Sequence, residues 1–360
     1  MQRRSFLKRL SAGAAVGALA APAIAHDLPA IRWRMATSWP KSLDTLFGGC
    51  EMVARRVAML TDGKFQIRAF AAGELVPGLQ VLDAVQQGTV ECGHTAAYYY
   101  IGKNLALAFD TTLPFGLTAR QQNSWFYYGG GLQLMRELFA QYNTVNFPCG
   151  NTGAQMGGWF RRPVTSLADF RGLKMRIPGL GGRILAALGA VPQTIAGADV
   201  YPSLERGAID ATEWVGPYDD EKLGFYKIAK NYYAPGWWEP GATVSLIVNA
   251  EQWKKLPPPY QEVLATVCKE VNLDMTAGYD AKNTAALQRL IKSGVALQSF
   301  PDDLMKAAQK TAFEIYAEEA GKNPAFKTIY DNWKKFRDEQ YQWFAANEAA
   351  FERFVYANKV

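Results

Sequence analysis

The sequence predicts an α/β protein with two domains, and three observations lead to this prediction. The chain has 360 residues, of which 49% are hydrophobic, so it can bury two separate cores. Segments with the alternation of β-strands are followed by amphipathic segments of helical period, joined by short connections. No long flexible linker interrupts the chain. We therefore expect two lobes that are connected by crossing strands and enclose a cleft.

The first half of the chain alternates predicted strands and helices. Strands are predicted at 31–37, 64–70 and 90–98, and helices at 44–60 and 79–87. A single helix between two strands brings the chain back to the same end of the sheet, so that the strands run parallel. This half is therefore predicted to form a largely parallel sheet.

A second α/β block follows. Its predicted elements are a helix at 121–142, strands at 158–161 and 174–177, a helix at 182–188, a strand at 192–195, a helix at 200–207, and strands at 210–215 and 243–248. Beyond these, residues 251–293 are predicted to be mostly helical. Residues 302–356 are also predicted to be helical, with a break at Asn323-Pro324 because proline favours the start of a new helix.

The N-terminus has the pattern of an export signal. Basic residues, among them Arg3-Arg4, precede an uncharged stretch that ends in Ala23-Ile24-Ala25. The paired arginines resemble the twin-arginine (Tat) motif, and we expect residues 1–25 to be removed on export to the periplasm. A short membrane anchor is the alternative. Removal lowers the formal net charge from +6 to +2, so the basic excess gives no reason to expect a nucleic-acid partner.

Several enzyme signatures are missing from the sequence. It contains no GxSxG, HExxH or GxxxxGK[ST] pattern, and its only histidines are His26 and His94. Zinc sites and histidine-based catalytic triads are therefore not expected. Both disulfides and buried free thiols remain open for the four cysteines, Cys50, Cys92, Cys149 and Cys268.

Candidate ligand-binding residues lie at the ends of predicted strands. Arg176 ends one strand and Glu213-Trp214 ends another, while Tyr98-Tyr99-Tyr100 ends a third. Ligands of open α/β sheets bind at the carboxyl ends of strands, and a guanidinium group matches a carboxylate with two hydrogen bonds. The residues alone also allow a solvated arginine, unrelated surface carboxylates, and tyrosines that only pack on the sheet.

Two longer motifs carry a family resemblance. Residues 167–178 read Leu-Ala-Asp-Phe-Arg-Gly-Leu-Lys-Met-Arg-Ile-Pro, and residues 200–214 read Val-Tyr-Pro-Ser-Leu-Glu-Arg-Gly-Ala-Ile-Asp-Ala-Thr-Glu-Trp. Together they resemble the DctP-type solute receptors of tripartite ATP-independent periplasmic (TRAP) transporters, and the resemblance extends from Ile31 through the C-terminal helices. The segments Gln-Met-Gly-Gly-Trp-Phe at 155–160 and Trp-Trp-Glu-Pro-Gly at 237–241 resemble the branch that binds 2-oxo acids.

The resemblance implies a two-lobed clamshell of the periplasmic-binding-protein type, with mixed sheets, an interdomain cleft and long C-terminal helices. After the signal at 1–25, we expect the first lobe at 26–150, with part of 240–300 returning to it, and the second lobe at 151–239. The helices at 300–360 would pack on the lobes or on the partner subunit of a homodimer. Their aromatic residues, many spaced three or four apart, are consistent with either arrangement.

The resemblance also implies a ligand site. Arg176 would bind the substrate carboxylate, with Gln155, Tyr99, Tyr100 and Trp214 completing the substrate contacts. A metal cation would bridge substrate and protein. Its implied ligands are Gln155, Glu213, the main chain of Trp214, and Glu239. These hard oxygen donors suit sodium, the cation we expect, or calcium, and the count of formal charges does not decide between them.

The function implied is that of an exported receptor, not an enzyme. It would capture a small 2-oxo monocarboxylate such as pyruvate and deliver it to the membrane subunits of a TRAP transporter. One alternative is a receptor for lactate or another 2-hydroxy acid, with calcium. A different class is a cofactor-independent enzyme for small organic acids, in which Glu213 or Glu239 would act as general base.

Overall fold

A computed structural model describes residues 28–358 of the chain, so the predicted export signal at 1–25 lies outside the described residues. The strands in the described part are β1 (Ile31–Thr37), β2 (Phe65–Phe70), β3 (Cys92–Thr95), β4 (Thr144–Asn151), β5 (Gly158–Phe160), β6 (Lys174–Arg176), β7 (Val191–Gln193), β8 (Ala211–Thr212), β9 (Asn231–Ala234), β10 (Thr243–Asn249) and β11 (Ala296–Ser299).

Helices connect and cover these strands. They are α1 (Leu46–Leu60), α2 (Val81–Gln86), α3 (Ala108–Thr111), α4 (Ala119–Tyr128), α5 (Gly131–Ala140), α6 (Gly179–Ala187), α7 (Gly197–Glu205), α8 (Pro217–Leu223), α9 (Ala250–Lys255), α10 (Pro258–Lys292), α11 (Asp302–Lys322), α12 (Pro324–Ala346) and α13 (Glu348–Ala357). No helix in the described range is both long and apolar enough to cross a membrane.

The strands form two sheets, one in each lobe. The first has the spatial order β2-β1-β3-β10-β4, in which β1 pairs in parallel with β2 and β3 while β10 runs antiparallel to both of its neighbours. The second has the order β11-β9-β5-β8-β6-β7, in which β5 is antiparallel to β8 and β9 and the other pairs are parallel. The predicted fold class, α/β with two lobes and mixed sheets, is confirmed.

The chain crosses between the two sheets more than once. β10 lies in the first sheet although it follows β5–β9 of the second, and β11 returns to the second sheet. The long helix α10 packs along β4 and α1 of the first lobe and then against α8, which follows β8 of the second. Both lobes therefore share one helix and several crossing segments.

Several predictions need correction. β9 and β11 were not predicted as strands, and the helix predicted at 121–142 is divided into α4 and α5. The strand predicted at 90–98 ends at Thr95, and Ala97–Tyr100 form a 3₁₀ turn in which the Tyr98 amide donates to Thr111 Oγ1 at 3.2 Å instead of to a neighbouring strand. The edge strand β4 was not predicted at all. Pro148 and Gly150 within it hide the alternation of a strand, and its pairing with β10 contains an irregularity.

The C-terminal helices begin where the sequence predicts a break. The Asn323 side chain accepts a hydrogen bond from the Phe326 amide, and Pro324 occupies the first turn of α12. α11 packs on α6 of the second lobe, and α12 packs on α4 and α5 of the first. The aromatic residues at the start of α12 are buried, whereas those from Trp343 onward are largely exposed. All four cysteines are buried free thiols.

Candidate ligand-binding site

A small cavity of about 20 Å³ lies between the two lobes. Arg176, Trp214 and Val215 line it from the second lobe, at the ends of β6 and β8. The remaining lining residues come from segments that follow or join the strands of the first lobe, and they are Trp39, Leu46, Ala96, Tyr98, Tyr99, Thr111, Thr152, Gln155, Ala242 and Val244. The cavity therefore lies where the strands of both sheets end, as expected for a ligand site in an α/β fold.

Arg176 ends β6 and is only 1% exposed. Its Nε donates to the Ile195 carbonyl at 3.1 Å, and its Nη1 donates to the Glu213 carbonyl at 3.3 Å and forms an ion pair with the Glu213 carboxylate. The guanidinium carbon lies 4.8 Å from the centre of the Trp214 ring. Nη2 has no hydrogen-bond partner among residues 28–358. The side chain is held rigidly and keeps one buried donor for a ligand.

Two buried carboxylates face this arginine. Glu213 directly follows β8, and its Oε2 finds no hydrogen-bond partner within the described chain. Glu239 follows β9, and its Oε2 accepts only a long hydrogen bond of 3.5 Å from the Tyr98 hydroxyl. Neither residue is more than 2% exposed. Buried carboxylate oxygens without donors are costly, so this pair is incomplete without a further positive group.

Electrostatics support the same conclusion. Burial raises the pKa of Glu213 to about 7, although Arg176 opposes the rise. Burial also raises the pKa of Glu239 well above its ordinary value, and the charge of Glu213 raises it further. The single guanidinium does not neutralise both carboxylates. A bound cation would allow both to ionise, because a positive charge close to a carboxyl group lowers its pKa.

Gln155 supplies another free oxygen. The side-chain Nε2 of Gln155 donates to Thr152 Oγ1 at 3.1 Å, and its main-chain amide donates to the main-chain carbonyl of Glu239 at 3.0 Å. Its side-chain Oε1 has no partner in the described part of the chain. Amide and carboxylate oxygens are ligands that sodium and calcium prefer, so the residues present fit such a cation. Residues 28–358 contain no group of three or more His, Cys, Asp or Glu side chains that could hold a metal. The fit therefore depends on these mixed oxygen donors.

The three consecutive tyrosines have different positions. Tyr99 lines the cavity and stacks on Tyr98 with ring centres 5.0 Å apart. Burial raises the pKa of Tyr99 to about 12, so its hydroxyl stays protonated and can donate. Tyr100 does not line the cavity, because its hydroxyl hydrogen-bonds Thr95 Oγ1 at 2.9 Å and the Leu82 amide at 3.2 Å. Of the residues predicted to contact the substrate, Tyr100 is the one that does not line the cavity.

Several lining residues, among them Trp39, Thr111 and Thr152, were not predicted from the sequence. Trp39 lies two residues beyond the end of β1, a strand-end position that could have identified it. Its indole nitrogen donates to Nδ1 of the buried His94 at 2.7 Å, so the ring proton of His94 lies on Nε2, which donates to the Cys149 carbonyl at 3.0 Å. The wall that Trp39 forms is thus fixed by a residue of β3.

Comparison with known proteins gives consistent results. Residues 35–323 match the family of bacterial extracellular solute-binding proteins, family 7 (DctP). The chain is 53% identical, over 99% of both chains, to the monocarboxylate 2-oxoacid-binding periplasmic protein of Nostoc sp..

Two solved structures of TRAP solute-binding proteins are also similar. One, from Bordetella bronchiseptica, is 53% identical with a TM-score of 0.91 over 92% of this chain and 98% of its own. It is a mixed-occupancy dimer with copurified calcium and picolinate. The other, from Pseudoalteromonas atlantica, is 38% identical with a TM-score of 0.87 over 89% and 98% and has bound sodium and pyruvate. From the site, the fold and these matches, we conclude that the chain belongs to the DctP family of bacterial extracellular solute-binding proteins.

Proposed function

We propose that the protein is the receptor of a TRAP transporter and binds a small 2-oxo monocarboxylate together with a metal cation. The observation that carries the proposal is that Nη2 of Arg176, Oε2 of Glu213 and Oε1 of Gln155 are buried and have no hydrogen-bond partner among residues 28–358. A free donor and two free acceptors at or beside the cavity suit an anionic ligand and a cation that bind together. The relatives from Nostoc and Pseudoalteromonas support the substrate class.

In this proposal, the substrate carboxylate lies against Arg176, and Tyr99 donates a hydrogen bond to the substrate. Gln155, Glu213, Glu239 and the main chain of Trp214 hold the cation, whose positive charge holds the substrate oxygens against the protein. Glu213, Glu239 and the substrate contribute three negative formal charges. With Arg176, a sodium ion leaves a total of −1 and a calcium ion a total of 0. Either ion removes most of the repulsion between the buried carboxylates.

We propose sodium as the cation, with calcium as the alternative. The Bordetella relative has calcium and the Pseudoalteromonas relative has sodium, so the related proteins include both. Each carboxylate can bind a cation through one or two oxygens, so the implied ligand set supplies four to six protein oxygens before the substrate adds its own, and this number does not decide between the two ions.

The proposal includes export and assembly. Residues 1–25 would direct the chain to the periplasm, and the closed receptor, with lobes at 26–150 and 151–239, would dock on the membrane subunits of the transporter.

We also propose a homodimer in which the exposed aromatic residues of the last helices contact a second copy. These residues include Trp343, Phe351 and Phe354, and the Bordetella relative is a dimer. Light scattering of the wild type and the F351E/F354E variant tests the homodimer. We expect the variant to dissociate to monomers at concentrations where the wild type is a dimer. An equally stable dimer of the variant would contradict the proposal.

Of the two alternatives, one is excluded and the other is retained. An enzyme is set aside, because members of this family bind solutes and do not transform them. A receptor for lactate or another 2-hydroxy acid remains the rival, since the carboxylate contact to Arg176 would be the same. The two differ in the group beside the carboxylate, which is a planar carbonyl in one case and a hydroxyl in the other.

Titration calorimetry tests the proposal on protein that has been unfolded and refolded to remove retained ligand. Pyruvate, 2-oxobutyrate, lactate and succinate are each titrated in sodium, in calcium, and in a buffer with a chelator and no sodium. We expect tight binding of the 2-oxo acids with a cation, weaker binding of lactate, and none of succinate. Absence of binding by every monocarboxylate would contradict the proposal, and tighter binding of lactate would favour its rival.

A further inference from the structure

The short helix α8 lies between the two lobes, and two adjacent carboxylates on it, Asp219 and Asp220, accept hydrogen bonds from different parts of the molecule. Asp220 Oδ2 accepts hydrogen bonds from the Trp159 indole at 2.9 Å and from the Tyr232 hydroxyl at 2.8 Å. Both donors belong to the second sheet, on β5 and β9. Asp220 therefore anchors α8 to the second lobe.

Asp219 faces the first lobe instead. Its Oδ1 accepts a hydrogen bond of 2.9 Å from Thr45 Oγ1, directly before α1, and its Oδ2 accepts one of 2.7 Å from the Tyr279 hydroxyl on α10. Asp219 is fully buried and Thr45 is 6% exposed. The Thr45–Asp219 bond thus joins the two lobes in a dry environment, where a hydrogen bond to a charged group is strong.

A second set of contacts surrounds this bond at the surface. Asp44 Oδ2 accepts a hydrogen bond of 2.8 Å from the Tyr218 hydroxyl, and Asp44 forms an ion pair with Lys222. The Lys222 ammonium lies 3.9 Å from the centre of the Tyr218 ring, and Lys282 of α10 lies 3.9 Å from Asp44. Asp44 and Thr45 of the first lobe therefore contact two successive residues of α8 and Lys222 one turn further along.

These contacts are connected to the walls of the cavity. Leu46, which lines the cavity, directly follows Thr45, and Val215, which lines it from the other side, donates its amide to Asp220 Oδ1 at 3.3 Å. A movement that separates the walls also separates Thr45 from Asp219. The position of α8 is further fixed by Asn283 of α10, whose Oδ1 accepts a hydrogen bond of 3.0 Å from the Tyr218 amide.

We propose that the bonds from Asp44 and Thr45 to α8 form a latch that holds the lobes closed and so sets how long the ligand stays bound. The inference rests on the proposed function for its ligand, although the latch acts on closure of the lobes in any case. Asp44, Thr45 and Asp219 are positioning residues, because none of them lines the cavity. Contacts made only in the closed state slow release more than they speed capture.

The test uses Thr45→Val, which keeps the shape but removes the hydroxyl, and Thr45→Ser, which restores it. Asp44→Ala probes the exposed part of the latch. Glu270→Ala is the matched control, since it breaks the exposed Arg56–Glu270 pair that links α1 to α10 without involving α8. Stopped-flow fluorescence of the tryptophans measures association and dissociation of pyruvate with sodium. Small-angle scattering measures the radius of gyration with and without ligand.

We expect Thr45→Val to dissociate pyruvate about tenfold faster, with association changed less than about twofold, and Thr45→Ser to recover most of the loss. Asp44→Ala is expected to accelerate dissociation about threefold, because exposed ion pairs contribute less. Thr45→Val should also have a larger radius of gyration than the wild type. Equal radii and equal dissociation rates in wild type and Thr45→Val would overturn the latch, as would an equal effect of Glu270→Ala.

The two proposals fail differently. If the wild type binds no monocarboxylate, the proposed function is wrong, and the scattering comparison of wild type with Thr45→Val still decides on the latch. If pyruvate binds but Thr45→Val releases it at the wild-type rate, the function stands and the latch does not.

Discussion

Two pairs of buried carboxylates lie within one short stretch of this molecule, and they differ in their hydrogen bonds. Asp219 and Asp220 on α8 have a donor for every oxygen, supplied by Thr45, Tyr279, Trp159, Tyr232 and the Val215 amide. Glu213 and Glu239 beside the cavity are only partly paired, since one oxygen of Glu213 has no partner in the described chain and Glu239 has only a long contact. The first pair holds the structure together and the second pair is incomplete.

The pKa values do not distinguish the two pairs. Burial raises the pKa of Asp220 to about 7, as it does for Glu213, and it raises the pKa of Asp219 and Glu239 too. What separates them is whether the protein itself supplies the missing donors. Unpaired buried oxygens therefore indicate a ligand site better than a raised pKa does.

The largest effect is expected from removal of the positive charge of Arg176, on which the pair Glu213 and Glu239 depends. Arg176→Ala removes the only guanidinium at the cavity and leaves Glu213 without its partner. We expect pyruvate affinity to fall by about a thousandfold or more, since both the carboxylate contact and the neutralising charge are lost. Titration calorimetry measures the loss, and Arg183→Ala on the exposed side of α6 is the control. Retained affinity in Arg176→Ala would show that the carboxylate binds elsewhere.

A fifth buried carboxylate, Asp110, extends the comparison to the first lobe. Asp110 accepts hydrogen bonds of 2.7 Å from Asn146 Nδ2 and from Ser245 Oγ, so it resembles the α8 pair. Burial raises its pKa from 3.8 to about 6. A carboxyl group whose pKa is raised on folding costs stability once it ionises, so this cost is absent below about pH 4 and complete above about pH 6.

Asp110→Asn removes that ionisation while keeping an oxygen for Asn146. Between pH 4 and pH 6.5 the free energy of unfolding of the wild type is expected to fall relative to the variant by up to about 3 kcal/mol. Urea denaturation of both proteins at several pH values measures the difference. A difference that does not change with pH would show that Asp110 keeps its ordinary pKa.

A smaller effect is expected for the completed pair on α8. Asp220→Asn replaces an acceptor for Trp159 and Tyr232 with a group that has one oxygen fewer. We expect a loss of about 2 kcal/mol in the free energy of unfolding, because a buried donor is left unpaired. The dependence of pyruvate affinity on sodium should be unchanged. If Asp220→Asn abolished that dependence, the division between structural and ligand-binding carboxylates would be wrong.

The tyrosines give the smallest expected effects. Tyr99→Phe should weaken pyruvate binding several-fold, because the hydroxyl of a cavity residue is removed. Tyr100→Phe should leave the affinity within about twofold and cost about 1 kcal/mol of stability, since its hydroxyl bonds Thr95 and Leu82. Calorimetry and thermal unfolding of the two variants measure both quantities. A loss of affinity greater than about twofold in Tyr100→Phe would indicate that Tyr100 belongs to the ligand-binding site.

Much of the site, but less of its surroundings, could be predicted from the sequence. Arg176, Glu213 and Trp214 lie at strand ends, so local patterns together with the rule for α/β sheets make them candidates, whereas their proposed roles came from the family resemblance. The turn at Tyr98 could not be predicted, because it depends on a hydrogen bond to Thr111, and β4 was hidden by its own proline and glycine. Trp39 also follows a strand end, but its hydrogen bond to His94, which is distant in the sequence, is visible only in the tertiary structure.

The central claim is that the incomplete pair, Glu213 and Glu239, holds a cation on which ligand binding depends. Calorimetry of pyruvate binding to wild type, Glu239→Gln and Asp220→Asn over a range of sodium and calcium concentrations tests it most directly. We predict that affinity rises with cation concentration in the wild type and in Asp220→Asn, and that this rise is lost in Glu239→Gln. Equal affinity with and without cation in the wild type, or an unchanged rise in Glu239→Gln, would contradict the claim.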